Sequence, residues 1–267
     1  MLYYPMKKRI KVHKRNEVIR GSDDYSLNAK KAMNAIYYGM QKHRELGTFK
    51  HDQITIQFST LRKLMNLEKD GAYVKVMKEA LTELMQPIHL NNYYHPIDEV
   101  EYSWYATTFL IDTGFLKRDN GEWVAQIRVS HLMKHLMQLE NNQGQGFTEL
   151  ELIPYLNKFR TKYAMKIYEY LKSFGAYAYL DVKQNHMMKL LGLDEKSTYK
   201  YYSKLIELVE RQLKDITQKS DLPNVKLVKS KTLAKEKILR ITINPKSKRV
   251  VEKSEAKTAL DSLIKRF

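Results

Sequence analysis

Apolar residues recur at helical spacing in some stretches and alternate in others, and the two patterns follow one another twice in the same order. In the first half, Ser26 stands where a hydroxyl can cap a helix over 27–46. Ala32, Ala35, Ile36 and Met40 share one face of it, and Gly47 stops it. Ile54, Ile56 and Phe58 alternate as a strand. Ser59 or Thr60 then opens a helix carrying Leu61, Leu64 and Met65, and a second helix over 72–85 ends before Pro87. Strands are expected over 89–94 and 101–116, a tight turn at Asp119-Asn120-Gly121, a return strand over 123–129 and a helix over 131–139. The second half opens with a strand over 147–153 and a helix over 157–174. A short helix over 182–191 ends at Gly192, and Leu193 turns inward. Ser197 or Thr198 then caps a longer helix with Tyr202, Leu205, Ile206, Val209, Leu213 and Ile216 on one face. Strands over 225–228 and 238–243 form a hairpin across a lysine-rich loop, and a last amphipathic piece covers 255–267.

The two halves correspond in residues as well as in order. Lys63-Leu64-Met65-Asn66-Leu67-Glu68 parallels Lys189-Leu190-Leu191-Gly192-Leu193-Asp194, and a constant offset then sets Tyr73 against Tyr199, Val76 against Tyr202, Lys78 against Lys204 and Ala80 against Ile206. A repeated helix-turn-helix, each copy followed by a β-hairpin, predicts an α+β chain of two tandem winged-helix domains. The expected layout is a basic, solvated N-terminal arm at 1–15 (Lys7, Lys8, Arg9, Lys11, Lys14, Arg15), a first domain over 16–142, a polar glycine-rich joint at Asn141 to Gly146, a second domain over 147–244 and a tail over 245–267.

Composition narrows the partner. The chain has 267 residues, 43% of them hydrophobic, and a formal net charge of +17. Its sequence pI of about 9.6 favours a polyanion. No apolar run is long enough to span a bilayer and the N-terminus carries no signal-peptide core, so the expectation is a cytoplasmic protein without a membrane partner. The absence of cysteine excludes disulfides and thiolate metal sites.

No catalytic constellation assembles from the sequence, and the chain is expected to be no enzyme and to need no cofactor or metal. There is no G-x-x-x-x-G-K-[ST] loop for nucleotide and no His-x-His pair for a metal-dependent nickase. His131 and His135 have helical ligand spacing, but Leu132 stands where a zinc protease has Glu. Asp98, Glu99 and Glu101 read as a solvated acidic face, and Gly144 and Gly146 as linker. Duplex DNA is the expected partner. The start of the second helix of a helix-turn-helix reaches base edges in the major groove, which selects Lys196, Ser197, Thr198, Lys200, Tyr201 and Lys204 in the second domain. In the first, Lys69, Ala72, Tyr73, Lys75 and Lys78 correspond, and Ala72 offers no polar group, so this copy is expected to rely on phosphates. The wings add Lys117 and Arg118, then Lys229, Lys231, Lys235 and Lys237.

Several stretches resemble the plasmid replication initiators of the Rep_3 type, the RepA/RepE/π initiators. Asn16-Glu17-Val18-Ile19 followed by Tyr25-Ser26-Leu27 is similar to that family's approach to its first helix. Tyr155-Leu156 with Lys162-Tyr163-Ala164-Met165-Lys166-Ile167-Tyr168-Glu169-Tyr170-Leu171-Lys172 resembles the opening helix of its second winged helix. Leu190-Leu191-Gly192-Leu193 and Ser220-Asp221-Leu222-Pro223-Asn224-Val225 also match family stretches. The similarity covers residues 16 to 243. The first domain departs most, with Lys31 or Met33 where the family has Arg, and the tail beyond Asn244 matches nothing. The resemblance implies an origin-binding protein that binds repeated sites called iterons as a monomer, helps melt the origin and engages the host initiator and replicative helicase. It also implies a homodimer that represses its own gene. A tandem winged-helix transcriptional repressor with no role in replication shares the same residue patterns. Direct repeats near the gene separate the two readings.

Overall fold

The computed structural model describes residues 10–16, 19, 24–47, 52–67, 71–95, 100–130, 147–153, 155–175 and 177–243. The chain runs β1 (Ile10–Arg15), α1 (Leu27–Glu45), β2 (Gln53–Gln57), α2 (Phe58–Leu64), α3 (Tyr73–Glu83), β3 (Ile88–His95), β4 (Val100–Thr107), β5 (Leu110–Lys117) and β6 (Trp123–Val129). It continues through β7 (Phe147–Ile153), a 3-10 turn (Leu156–Lys158), α4 (Lys162–Lys172), β8 (Tyr179–Lys183), α5 (Gln184–Leu190), a second 3-10 turn (Thr198–Lys200), α6 (Tyr202–Lys219), β9 (Lys226–Val228), α7 (Lys231–Lys235) and β10 (Ile238–Thr242).

Helix α1 is the axis of the first half. The Ser26 hydroxyl accepts from the Ala29 N–H at 3.2 Å, as its position before an apolar run predicts. Glu83, the last residue of α3, accepts from both the Ser26 N–H and the Ser26 hydroxyl. Every residue from Ala29 to Gln41 is buried, because α1 is covered by β1, β2, α2 and α3 together. Gly39 permits that approach: a Cβ there would stand 2.7 Å from Ile56 Cδ1. Gly47, at φ +65°, ends the helix with its N–H on the Arg44 carbonyl.

The two halves build the same sheet. In the first the strand order is β2-β6-β5 and in the second β8-β10-β9, all pairs antiparallel. In each, the strand before the helix pair lies against the second strand of the wing hairpin. The turn between the helices is also shared. Asn66 and Gly192 both take left-handed backbone, at φ 58° and 62°. The Leu67 N–H reaches back to the Arg62 carbonyl, and the Leu193 N–H to the Met188 carbonyl. That six-residue closure, followed by an inward Leu, ends α2 and α5 alike. The β5–β6 hairpin closes at Gly121 (φ +81°), where the Arg118 N–H donates to the Glu122 carbonyl at 2.8 Å. Among the described residues only the first half inserts a further antiparallel hairpin, β3–β4, before its wing.

The expected solvated arm is corrected for its described part. Residues 10–15 are strand β1, paired antiparallel with β7 of the other half. Val12 and Lys14 point inward, and the Lys14 ammonium meets Glu169 of α4 at 2.6 Å with both side chains buried. Residues 1–9 lie outside the described residues, as do the expected helix over 131–139 with His131 and His135, the joint at Asn141 to Gly146, Asp98, Glu99 and the tail over 245–267. A second tie crosses the seam. Asn157 accepts from the Asn34 side-chain amide of α1 and donates to the Leu64 carbonyl at 2.7 Å, where α2 ends. The buried side chains accordingly form one continuous cluster from β1 and α1 into α4 and α6. The repeated topology is present, but the two cores are joined.

Other boundaries differ from expectation for local reasons. Phe58 begins α2 rather than ending β2, so Ser59 and Thr60 sit inside the helix. The helix expected over 157–174 is interrupted. Phe159 is extended and buried against Tyr168, and Thr161 restarts the helix by accepting the Ala164 N–H. The chain over 179–183 is a strand, and α5 begins only at Gln184. No helix among the described residues is long and apolar enough to cross a membrane.

Candidate nucleic-acid interface

The second unit assembles its cationic edge around Gln184. Its backbone N–H donates to the Lys237 carbonyl at 2.9 Å, and its side-chain amide donates to the Lys200 carbonyl. One residue at a strand-to-helix junction thus holds both the base of the wing and the approach to the longer helix. Tyr202 adds a second tie, its hydroxyl donating to the Ile238 carbonyl at 2.6 Å. In the sheet behind, Arg240 grips Asp181 with two parallel bonds of 2.7 Å.

Ser197 does not cap α6 as expected. Its hydroxyl accepts from the Tyr199 N–H, and its own N–H donates to Asp194, so it caps a 3-10 turn over Thr198–Lys200. Helix α6 starts at Tyr202 with Tyr201 as its cap residue. Lys196, Thr198, Lys200, Tyr201 and Lys204 are exposed along this edge. The Lys200 ammonium lies 5.4 Å from the centre of the Tyr201 ring. Lys204 is not free for a phosphate without exchange, since it pairs with Glu207 at 2.9 Å on the same helix.

In the wing, Lys229 reaches Glu210 of α6 at 2.7 Å. Its lysine-rich connection is not open loop: Lys231–Lys235 form the short helix α7, with Leu233 turned inward and Lys231, Lys235 and Lys237 exposed. Lys237 leaves that helix with left-handed backbone, φ 54°.

The first unit arranges the same elements differently. Tyr73 opens α3, but its ring is covered: the Arg62 guanidinium lies 3.8 Å from its centre and Phe58 packs at 6.0 Å. Phe58 in turn meets Phe115 of the wing strand at 4.9 Å. This aromatic link ties the start of α3 to the hairpin that carries Lys117 and Arg118. Lys75 and Lys78 are exposed on α3, with Glu79 3.9 Å from Lys75. Arg118 stands 3.8 Å from Glu122 across the turn. Lys69 lies outside the described residues. Arg62 and Gln184 were not expected from the sequence, where an arginine inside an amphipathic helix and a glutamine at a junction carry no distinguishing motif.

Burial corrects the pairing of the two recognition helices. The constant offset sets Met77, Ala80 and Leu81 of α3 and Leu84 just beyond its end, all buried, against Ser203, Ile206, Glu207 and Glu210, none of them buried. Two residues further on stand Leu205, Leu208, Val209 and Gln212, and all four are buried. The second turn is therefore two residues longer, and Tyr73 corresponds in register to Tyr201 and Ala72 to Lys200.

Among the described residues no group of three or more His, Asp and Glu could hold a metal ion. Burial lowers the pKa of Lys31 on α1.

A model of the initiator replication protein family, WH1, matches residues 11–172. That span opens in β1 and closes at the end of α4, the two elements joined by Lys14 and Glu169. Among solved structures, the Pi initiator protein in complex with iteron DNA is similar with a TM-score of 0.66 at 14% identity, over 90% of this chain and 99% of that one. Domains 2 and 3 of RctB align with a TM-score of 0.48 at 11% identity, over 82% of each chain. No curated protein sequence matches.

Proposed function

The chain belongs to the initiator replication protein family, and from that premise we propose that this plasmid replication initiator binds repeated duplex sites at its origin through both winged-helix units. The observation that carries the reading is the repeated β-helix-turn-helix-hairpin unit with exposed lysines at the start of each second helix and along each wing. A helix of that size fits the major groove, where lysine donates to guanine O6 and N7 and hydroxyls accept or donate to several bases. Lys196, Ser197, Thr198, Lys200, Tyr201 and Lys204 are assigned to base edges. Lys229, Lys231, Lys235 and Lys237 are assigned to the flanking phosphates, and so are Lys69, Tyr73, Lys75, Lys78, Lys117 and Arg118 of the first unit. The two basic edges would follow one duplex. The solved Pi initiator, of the same fold, was crystallised with iteron DNA, which favours repeated sites over a single operator.

The protein acts without catalysis, as a cytoplasmic DNA-binding initiator that recruits the host initiator and replicative helicase, and as a homodimer it represses its own gene. Footprinting on the DNA flanking its gene tests the reading. Protection of several direct repeats spaced by whole helical turns supports an initiator. Protection of one inverted operator alone would favour the repressor without a replication role. Neutralising on the order of 6 to 10 phosphates would lower affinity about a thousandfold or more between roughly 50 and 200 mM salt. A flat dependence would contradict DNA binding.

A further inference from the structure

Tyr201 is 61% exposed, more than any other large apolar side chain among the described residues. It is also held in place. Its carbonyl accepts the Leu205 N–H at 3.1 Å as the first bond of α6, and its N–H reaches the Thr198 carbonyl. The residue before it is fixed by the Gln184 amide, and the residue after it by the bond from the Tyr202 hydroxyl to Ile238. An exposed aromatic ring on a fixed backbone is a rigid contact surface that loses little entropy on binding. At the corresponding position of the first unit, Tyr73 is covered by Arg62 and Phe58 and has no such surface.

The geometry points to Tyr201 as a reader of thymine, its ring packing on the C5-methyl group in the major groove while Lys200 donates to the acceptors of a neighbouring base. The thymine methyl is the apolar group that the major groove presents, and it lies where the first turn of a recognition helix reaches. This inference rests on the DNA-binding reading above and deepens it by naming a base. The ring contact needs no hydroxyl, and the Lys200 ammonium stands 5.4 Å from the ring centre.

The test uses the whole chain and a duplex that it selects from a randomised pool. Each thymine of that duplex is replaced in turn by deoxyuridine, which removes the methyl and keeps the pairing. For the unaltered protein, uracil at a contacted position should lower affinity about fourfold, the worth of one buried methyl. Tyr201→Phe should keep that sensitivity. Tyr201→Ala should lose it, with an unchanged heat-unfolding midpoint because the side chain is exposed. Equal affinity of the unaltered protein for every uracil duplex overturns the assignment, as does a uracil penalty that survives in Tyr201→Ala. If no duplex is enriched and no salt-dependent affinity for DNA is found, the DNA-binding reading falls with it. If duplexes bind but uracil is ignored, only the thymine contact falls.

Discussion

The two winged-helix units share a sheet order, a left-handed residue in the turn and a buried face on the second helix. They differ at the point where that second helix begins. In the first unit the turn is two residues shorter, the helix opens on Ala72 and Tyr73, and the tyrosine is folded back under Arg62. In the second, a 3-10 turn pushes Thr198, Lys200 and Tyr201 outward before the helix starts, and Gln184 holds that projection against the wing. A common scaffold thus offers a covered start in one copy and a presented start in the other. The scaffold is common to both copies; two extra residues in the turn and the direction of one aromatic ring set them apart.

The largest expected effect tests whether the units can be compared as independent parts at all. Lys14→Met leaves Glu169 buried without its partner, which should cost about 3–5 kcal/mol of stability. Denaturant unfolding followed by probes in each half should shift together. Separate transitions, or no loss, would mean that the seam does not join the halves energetically.

A smaller effect separates the two helix starts. Lys200→Ala should cost about 1–3 kcal/mol on the selected duplex and much less on a scrambled one. Lys75→Ala in the first unit should weaken both duplexes alike. Paired isotherms give the answer, and a sequence-selective loss for Lys75→Ala would erase the contrast between the copies.

The shared turn offers a finer comparison. Gly192→Ala places a Cβ in left-handed backbone and should cost about 1–2 kcal/mol, and Asn66→Ala should cost less, since Asn already carries part of that strain. Asn66→Gly should be neutral or stabilising, as read from the unfolding midpoint. Smallest is Lys231→Ala in the second wing. It should lower the slope of log affinity against log salt by about one unit, with the same loss on both duplexes. A sequence-dependent loss there would move the wing among the base readers.

Much of this arrangement is legible in the chain because the signals are local. Ser26, Gly47 and Gly121 mark ends that depend on a hydroxyl or on positive φ, and the alternation of Ile54 and Ile56 with polar neighbours marks β2 as a strand with one buried face. What escaped depends on distant partners. Strand β1 was hidden because its inward position 14 is a lysine, which reads as solvated until Glu169 is placed beside it. Strand β8 has only Leu180 and Val182 as its buried alternation and passes into α5 with no side-chain cap, so pairing with β10 defines it. Within the site the lysines could be named from position alone. The outward turn of Tyr201 and the role of Gln184 could not, because both follow from a turn length that only the burial of α6 reveals.

The pairing of β1 with β7 has a consequence for how the protein is made. Ile10 lies opposite Ile153, and Arg15 opposite Phe147. A ribosome adding about 5–20 residues per second therefore releases β1 many seconds before its partner strand exists. A first winged helix that forms in that interval does so with one flank of α1 uncovered and with Lys14 still in water. The strand synthesised first among these elements is placed late, and its docking, like the capture of Lys14 by Glu169, waits until α4 has emerged.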